Sequence, residues 1–209
     1  MLVYHGFAEQ GPDRRYHAGP VLQRTTHASA SVAYLRQVAR PHMELLVRET
    51  QESANLTVLS GTAVQFVLTV ESARTLRVSD RAGASLPAHR TSGGKAILAT
   101  LSEGDVVAIF AGVDIVDLDG LRAELAETRD QGFAINDQQT EAGITAVGMA
   151  IRCPDGFPPA AVSVAMPSAR FSHARLPIWT EALRTAVQRV RRDLERLTVP
   201  DDAGASTEP

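Results

Sequence analysis

The stretch LPAHRTSGGKAILA, residues 86–99, contains groups that could bind an anion. Thr91 and Ser92 precede two glycines, and a helix-forming segment follows at once. The first amides of a helix lack intrahelical acceptors and carry partial positive charge, and glycines let a carboxylate or phosphate approach them. The GxxxxGK[ST] spacing of a P-loop is absent. Residue types alone favour a simpler interpretation, an N-cap whose glycines allow tight helix packing.

Groups for catalysis are not arranged in a recognisable pattern. Ser92, His89 and Asp80 could be imagined as a triad, but the sequence has no GxSxG nucleophile elbow. The six histidines form no HxxxH or HExxH pair, and the single cysteine, Cys153, excludes a multi-cysteine metal site. We therefore expect no catalytic residues, no metal and no cofactor.

The composition describes a globular protein of 209 residues with a formal net charge of −3. Any contact with nucleic acid must therefore come from a local basic patch, for which Arg14 and Arg15 are candidates. They follow a Gly-Pro-Asp turn in a segment, residues 6–18, that predicts a β-hairpin. The single cysteine, the lack of a long apolar run and the absence of a signal pattern predict a cytoplasmic protein.

Hydrophobic periodicity predicts the elements that must position these groups. A helical pattern covers residues 20–52, with a break expected at Pro41. Further helices are expected over 92–101, from Ser102, over 119–131 and over 177–197. Strands are expected over 54–60, 64–70, 76–79, 133–136, 145–152 and 160–166. Because tight turns join several strands, the pattern favours an α+β fold with an antiparallel sheet and helices packed on it.

Several segments, taken together, resemble one protein family. They are GFAEQGPDRRYHAGP, VARPHMELLVRET, LRVSDRAGASLPAHRTSGGKAILATL, LRAELAETRDQGFAINDQQTEAGITAVGMAIR and AAVSVAMPSARF. In this order and spacing they resemble the isocitrate-lyase-regulator (IclR) family of bacterial transcription factors over residues 2–197. The resemblance implies a winged helix-turn-helix, a linker helix and an effector-binding domain with a GAF- or profilin-like fold.

The resemblance also implies domain boundaries. Residues 1–19 correspond to the end of a recognition helix and its wing, residues 20–32 to the linker helix, and residues 33–199 to the effector-binding domain. Residues 200–209 are expected to be a disordered tail. The match starts late in the winged domain, so we expect only part of the DNA-binding domain. A wing without its recognition helix makes few base-specific contacts.

In this family the loop before the SGGK-type helix closes one end of the effector pocket. The resemblance assigns the carboxylate-binding amides to Ser92 and Gly93. It assigns the other pocket positions to Thr75, Val78, Leu86, Asn136, Ile144, Ala146, Ser163 and Ala165. Members that sense small keto acids carry an acid, a thiol and a second hydroxyl at the positions of Asn136, Ala146 and Ala165. The replacements here imply a roomier, more apolar pocket, which argues against glyoxylate or pyruvate and favours an aromatic acid.

The function implied is that of a ligand-responsive transcriptional regulator. A small carboxylate would bind the amides, with Asn136 and Ser163 as orienting side chains, and would change the operator affinity of a homodimer or homotetramer. Two alternatives stay open. One is a stand-alone effector sensor without DNA binding, and the other, less favoured, is an enzyme that acts on a carboxylate in the same pocket.

Overall fold

A computed structural model describes residues 8–10, 16–18, 20–113 and 117–198. Six strands form one sheet in which all neighbours are antiparallel. In chain order they are β3 (Ser53–Ser60), β4 (Ala63–Val70), β5 (Ser85–Pro87), β6 (Ala134–Asp137), β7 (Ile144–Ile151) and β8 (Ala160–Pro167). Their order across the sheet is β5-β4-β3-β8-β7-β6. The antiparallel sheet with flanking helices confirms the α+β prediction.

Five α-helices are described: α1 (Pro20–Thr50), α2 (Ser92–Leu98), α3 (Glu103–Ile109), α4 (Leu118–Gln131) and α5 (Leu176–Thr198). Helices α1 and α5 cover one face of the sheet, where Leu56 and Val162 pack against Met43 and Trp179. Helices α2, α3 and α4 cover the other face. Strand residues alternate between the faces, so the neighbours of Leu56 on β3 turn toward α2. None of the described helices has both the length and the apolar character needed to cross a bilayer.

Helix α1 continues through Pro41, so the predicted break is wrong. A proline in a helix interior removes one backbone hydrogen bond. Here Pro41 is exposed, and so is Gln37, whose carbonyl loses that bond and can be solvated. The opposite side of the helix carries fully buried Leu35 and Met43 in the main core. We infer that this packing outweighs the lost bond.

The strand predicted over residues 76–79 is also wrong, because the chain forms a loop from residue 71 to residue 84. Leu76 is 66% exposed, whereas Val78 is buried and its carbonyl accepts a hydrogen bond from the Ser53 side chain at 2.7 Å. A side chain therefore satisfies this carbonyl, and the edge strand β5 pairs with β4 instead. We call residues 71–84 the pocket loop.

The described N-terminal residues include two short paired strands. Strand β1 (Ala8–Gln10) pairs antiparallel with β2 (Tyr16–Ala18), as a hairpin requires. Arg14, Arg15, residues 1–5 and the tail at 200–209 lie outside the described residues. The predicted boundary at residue 32 falls inside α1, and the domain limits remain predictions.

Candidate ligand-binding site

A narrow cavity lies between the sheet and the start of α2. Its volume is about 30 Å³, roughly the space of a single water molecule. Its lining residues come from all six strands of the sheet, from α2 and from three loops; they are Asn55, Thr57, Phe66, Arg81, Leu86, Thr91, Ser92, Gly93, Asn136, Thr140, Ile144, Ala146, Ser163 and Ala165. A small acid can enter only if some of these groups move apart.

The cavity brings together most of the residues that the sequence resemblance assigned to a pocket. The lining includes Leu86, Ser92, Gly93, Asn136, Ile144, Ala146, Ser163 and Ala165. Val78 is buried just beyond them, in a small apolar cluster with Ala146 and Ala165. Thr75 is exposed on the pocket loop and is not among the lining residues. Ligand binding by these residues remains a proposal.

Sheet register explains why the side chains converge. Asn55 on β3 is the partner of Ser163 on β8, which is the partner of Gly148 on β7. Because cross-strand partners share a face, Asn55 and Ser163 lie side by side on the α2 side of the sheet. A Cβ atom on Gly148 would lie 2.7 Å from the Gly93 nitrogen. The glycine therefore leaves room for the start of α2 next to the two polar side chains.

The two glycines of α2 are both required by packing. A Cβ atom on Gly93 would lie 2.6 Å from Thr57 Oγ1, and one on Gly94 would lie 2.2 Å from the Ala88 carbonyl oxygen. The Thr91 hydroxyl oxygen accepts a hydrogen bond from the Gly94 amide at 3.0 Å, so Thr91 is the N-cap of α2. The packing interpretation of the motif therefore has direct geometric support. The anion interpretation is compatible with it, because Ser92 and Gly93 line the cavity.

Two hydrogen-bond donors on buried residues line the cavity and have no protein partner among the described residues. Asn55 is 2% exposed, and its Oδ1 accepts the Thr69 hydroxyl at 2.9 Å, while its Nδ2 makes no hydrogen bond within that part of the chain. Ser163 is 4% exposed, and its hydroxyl has no protein partner there. Because both residues line the cavity, their free donors suit a ligand that supplies hydrogen-bond acceptors.

Asn136, expected to orient a ligand, is engaged in its own turn. Its Nδ2 donates to Thr140 Oγ1 at 2.7 Å and its Oδ1 accepts the Gln139 amide at 2.9 Å. Gln139 in turn accepts a hydrogen bond from Lys95, whose nearly buried ammonium also pairs with Glu124 at 2.9 Å. These bonds fix the β6–β7 turn, which contributes Thr140 to the cavity wall.

Arg81 lies at the cavity mouth. Its backbone amide donates to Thr69 Oγ1 on β4 at 3.1 Å, and its guanidinium forms an ion pair with Glu141 on the β6–β7 turn. The side chain of Arg81 is 20% exposed and that of Glu141 is 53% exposed. The pair thus links the pocket loop to the opposite rim, three strands away in the sheet order.

Six of the lining residues are not among the pocket positions that the resemblance assigned; they are Asn55, Thr57, Phe66, Arg81, Thr91 and Thr140. Asn55 and Thr57 had a readable signal, because they alternate with Leu56 and Val58 in a strand whose apolar residues face the main core. Five of the six are polar or charged.

The groups considered for catalysis do not assemble. His89 packs edge-on against Phe110 at 5.6 Å between ring centres, and burial lowers the pKa of its imidazole. The Asp80 carboxylate accepts the Ala82 amide at 2.8 Å, and within the described chain neither residue is bonded to Ser92. The residues that the structure describes contain no cluster of three His, Cys, Asp or Glu side chains fit to hold a metal.

Comparison with known proteins agrees with this fold. HTH-type transcriptional regulator XynR from Escherichia coli (strain K12) is 27% identical over 194 residues, which cover 88% of this chain and 77% of XynR. The crystal structure of Thermotoga maritima IclR is 25% identical with a TM-score of 0.72, covering 92% of this chain and 81% of that one.

A second similar structure contains a bound small molecule. It is an IclR homologue from Microbacterium hydrocarbonoxydans complexed with 4-hydroxybenzoate, 26% identical with a TM-score of 0.68, covering 93% of this chain and 82% of that one. The model of the family described as bacterial transcriptional regulator IclR C-terminal matches residues 27–192. The resemblance seen in the sequence is thereby confirmed, and the chain belongs to the IclR family of bacterial transcriptional regulators.

Proposed function

We propose that this chain acts in transcription by binding a small organic carboxylate in the cavity at the start of α2. The observation that carries the proposal is a pair of donors that line the cavity and have no protein partner among the described residues, Asn55 Nδ2 and the Ser163 hydroxyl. A carboxylate offers only acceptors, and it would satisfy both donors at once. Ser92 and Gly93 add backbone amides at a helix start, where an anion is stabilised.

Aromatic acids are the ligand class that we propose first. Three lining positions carry Asn136, Ala146 and Ala165, none of which places a charge in the cavity. Phe66, Leu86 and Ile144 supply apolar surface that an aromatic ring could contact. The homologue complexed with 4-hydroxybenzoate shows that a relative accepts such a molecule.

The pocket loop offers a route from the cavity to α1. The Gln51 carbonyl, directly after α1, accepts the Ser72 hydroxyl at 2.8 Å and the Arg74 guanidinium at 3.0 Å. Ser53 holds the same loop through the Val78 carbonyl at 2.7 Å. A ligand that shifts this loop would therefore act on the end of α1, whose other end leads to the hairpin strands β1 and β2.

We propose that α1 passes this shift to the DNA-binding part of a homodimer or homotetramer, in which Arg14 and Arg15 contact the phosphate backbone. The ligand can change operator affinity only through its different affinities for the two arrangements. A residue in the left-handed region marks the junction, since Gln51 has a φ of 60°. We propose Gln51 as the hinge, because its N–H donates to the Val47 carbonyl at 2.8 Å while its own carbonyl binds the pocket loop.

A thermal-shift screen tests the proposal. The chain is heated with benzoate, 4-hydroxybenzoate, pyruvate or glyoxylate, each in large excess. A ligand at a hundredfold excess over its Kd stabilises the native state by about 2.7 kcal/mol, and we expect the aromatic acids to raise the midpoint most. If none of the four changes the midpoint, the proposal fails. Recovery of the unaltered acid after incubation separates binding from turnover.

A further inference from the structure

The Arg81–Glu141 pair differs from the other ion pair of the pocket loop. Arg77 and Glu71 pair at 2.5 Å on the same loop, but both are more than 30% exposed and neither lines the cavity. Arg81 lines the cavity together with Asn55 and Ser163, and its guanidinium is bound by an acid from the far rim. The Arg77–Glu71 pair is a solvated surface contact, whereas the Arg81–Glu141 pair joins the two sides of the cavity.

We propose that Arg81 is the residue that selects an anionic ligand, and that Glu141 occupies its guanidinium while the cavity is empty. This inference rests on the proposed function of the same cavity and assigns its charge selectivity. The incoming carboxylate replaces the Glu141 carboxylate on Arg81, and Glu141, already half exposed, turns into solvent.

Charge and solvation favour this exchange. A guanidinium presents donors in a planar fork that matches a carboxylate, whichever carboxylate is offered. An ion pair with one half-exposed partner contributes little to stability, so releasing Glu141 costs little. Next to Asn55 and Ser163, a ligand carboxylate would be less exposed than Glu141 is, and its attraction to Arg81 would be screened less.

The exchange also accounts for the narrow cavity. Its present volume of about 30 Å³ is too small for an organic acid. The ion pair ties the pocket loop to the β6–β7 turn, and its release frees the loop to move outward. Because the loop also binds Gln51 through Ser72 and Arg74, the same exchange would reach the end of α1.

The test compares an acid with its neutral analogue. Isothermal titration uses the most stabilising acid of the four in the thermal screen and the corresponding primary amide. We expect Arg81→Gln to weaken acid binding about tenfold or more, as loss of a charge-assisted hydrogen bond does, while amide binding changes little. Arg81→Lys should restore part of the affinity for the acid. Glu141→Gln should bind the acid more tightly than the wild type, because the internal competitor is gone.

A control variant on the same loop and the results that would overturn the inference complete the test. Arg77→Gln removes the equivalent cation of the same loop away from the cavity, and it should leave acid binding unchanged. If Arg81→Gln binds the acid as the wild type does, or loses acid and amide equally, the inference is overturned while the proposed function stands. If neither the wild type nor Glu141→Gln binds any of the four acids, both are overturned. Should Arg81→Gln fail to fold, the Glu141→Gln and Arg81→Lys titrations still decide.

Discussion

The Oγ1 atom of Thr57 lies 2.6 Å from the position that a Cβ atom on Gly93 would occupy. The start of α2 therefore rests directly on β3, with no space for a side chain between them. Both residues also line the wall of the cavity. The glycine that the sequence suggested for anion approach is first of all a packing residue.

Gly93→Ala should destabilise the protein. Pushing α2 away from the sheet is an overpacking change and costs about 1–3 kcal/mol. Gly94→Ala should cost more, because its Cβ would meet the Ala88 backbone, which has no rotamer to change. Urea unfolding of both variants measures the difference.

A double variant checks the cause of the Gly93→Ala effect. With Thr57→Ala, the nearest remaining side-chain atom is the Ala161 Cβ at 3.6 Å, an ordinary contact. The double variant Thr57→Ala/Gly93→Ala should thus lose less unfolding free energy than the sum of the losses of the two single variants. Gly104→Ala is the matched control, because it is an exposed helical glycine with open space and should gain roughly 0.5 kcal/mol. Full additivity of the pair would contradict the account.

Ser163→Ala should separate stability from ligand binding. Ser163 is 4% exposed and its hydroxyl has no hydrogen-bond partner among the described residues, so its removal breaks no bond in that part of the chain. We therefore expect the free energy of unfolding to stay nearly unchanged. Acid binding measured by titration should weaken several-fold, and an unchanged affinity would exclude Ser163 from the site.

Arg170→Ala should strongly destabilise the chain. Glu52 directly precedes β3, is 1% exposed, and receives two hydrogen bonds from Arg170 at 2.7 and 2.6 Å. Removing the cation leaves a buried carboxylate without its partner, a change that costs about 3 kcal/mol. Chemical denaturation measures the loss. The pair Glu52→Gln/Arg170→Gln, which buries no lone charge, should retain more stability than Arg170→Ala, and the reverse order would contradict this explanation.

Cys153 should be chemically inert in the folded protein. Burial raises the pKa of its thiol to about 11, whereas an unfolded cysteine titrates at about 8.5. Alkylation by iodoacetamide at pH 8 should therefore be far slower for the native protein than for protein unfolded in guanidinium. Equal rates would show that the thiol is accessible and ionised.

The same shift gives a pH dependence of stability. The pKa of the Cys153 thiol is higher in the folded than in the unfolded state, so ionisation of this thiol favours unfolding. Its contribution to the free energy of unfolding is therefore fully retained below about pH 8.5. It is lost as the pH rises toward about 11. Cys153→Ser has no such titration, so its stability should fall less than that of the wild type between these values.

Local signals were sufficient for the elements whose ends are chemically marked. Helix α4 was predicted within one residue: the acidic residue taken as its start, Asp119, lies in the first turn, and Gly132, with a φ of 80°, ends the helix as expected. Ser102 caps α3 as expected. The Pro41 prediction failed because packing of the whole α1 face outweighs one missing bond, and tertiary packing is not a local property.

The candidate site was predictable only in part for a related reason. The family resemblance supplied pocket positions, but Arg81 and Glu141 are 60 residues apart and meet only through the sheet order. Asn55 and Ser163 become neighbours through the pairing of β3 with β8. Their idle donors, the strongest sign of a ligand, follow from burial and missing partners, which a sequence does not display.

Whether a carboxylate binds in the cavity at the start of α2 is tested most directly by a crystal structure of the chain soaked with 4-hydroxybenzoate or with the most stabilising acid of the screen. The account predicts the carboxylate within hydrogen-bond distance of Asn55 Nδ2 or the Ser163 hydroxyl, with Glu141 released from Arg81. An acid bound only elsewhere, for example in the groove between α3 and α4 lined by Val106 and Leu121, with the cavity unchanged, would contradict it.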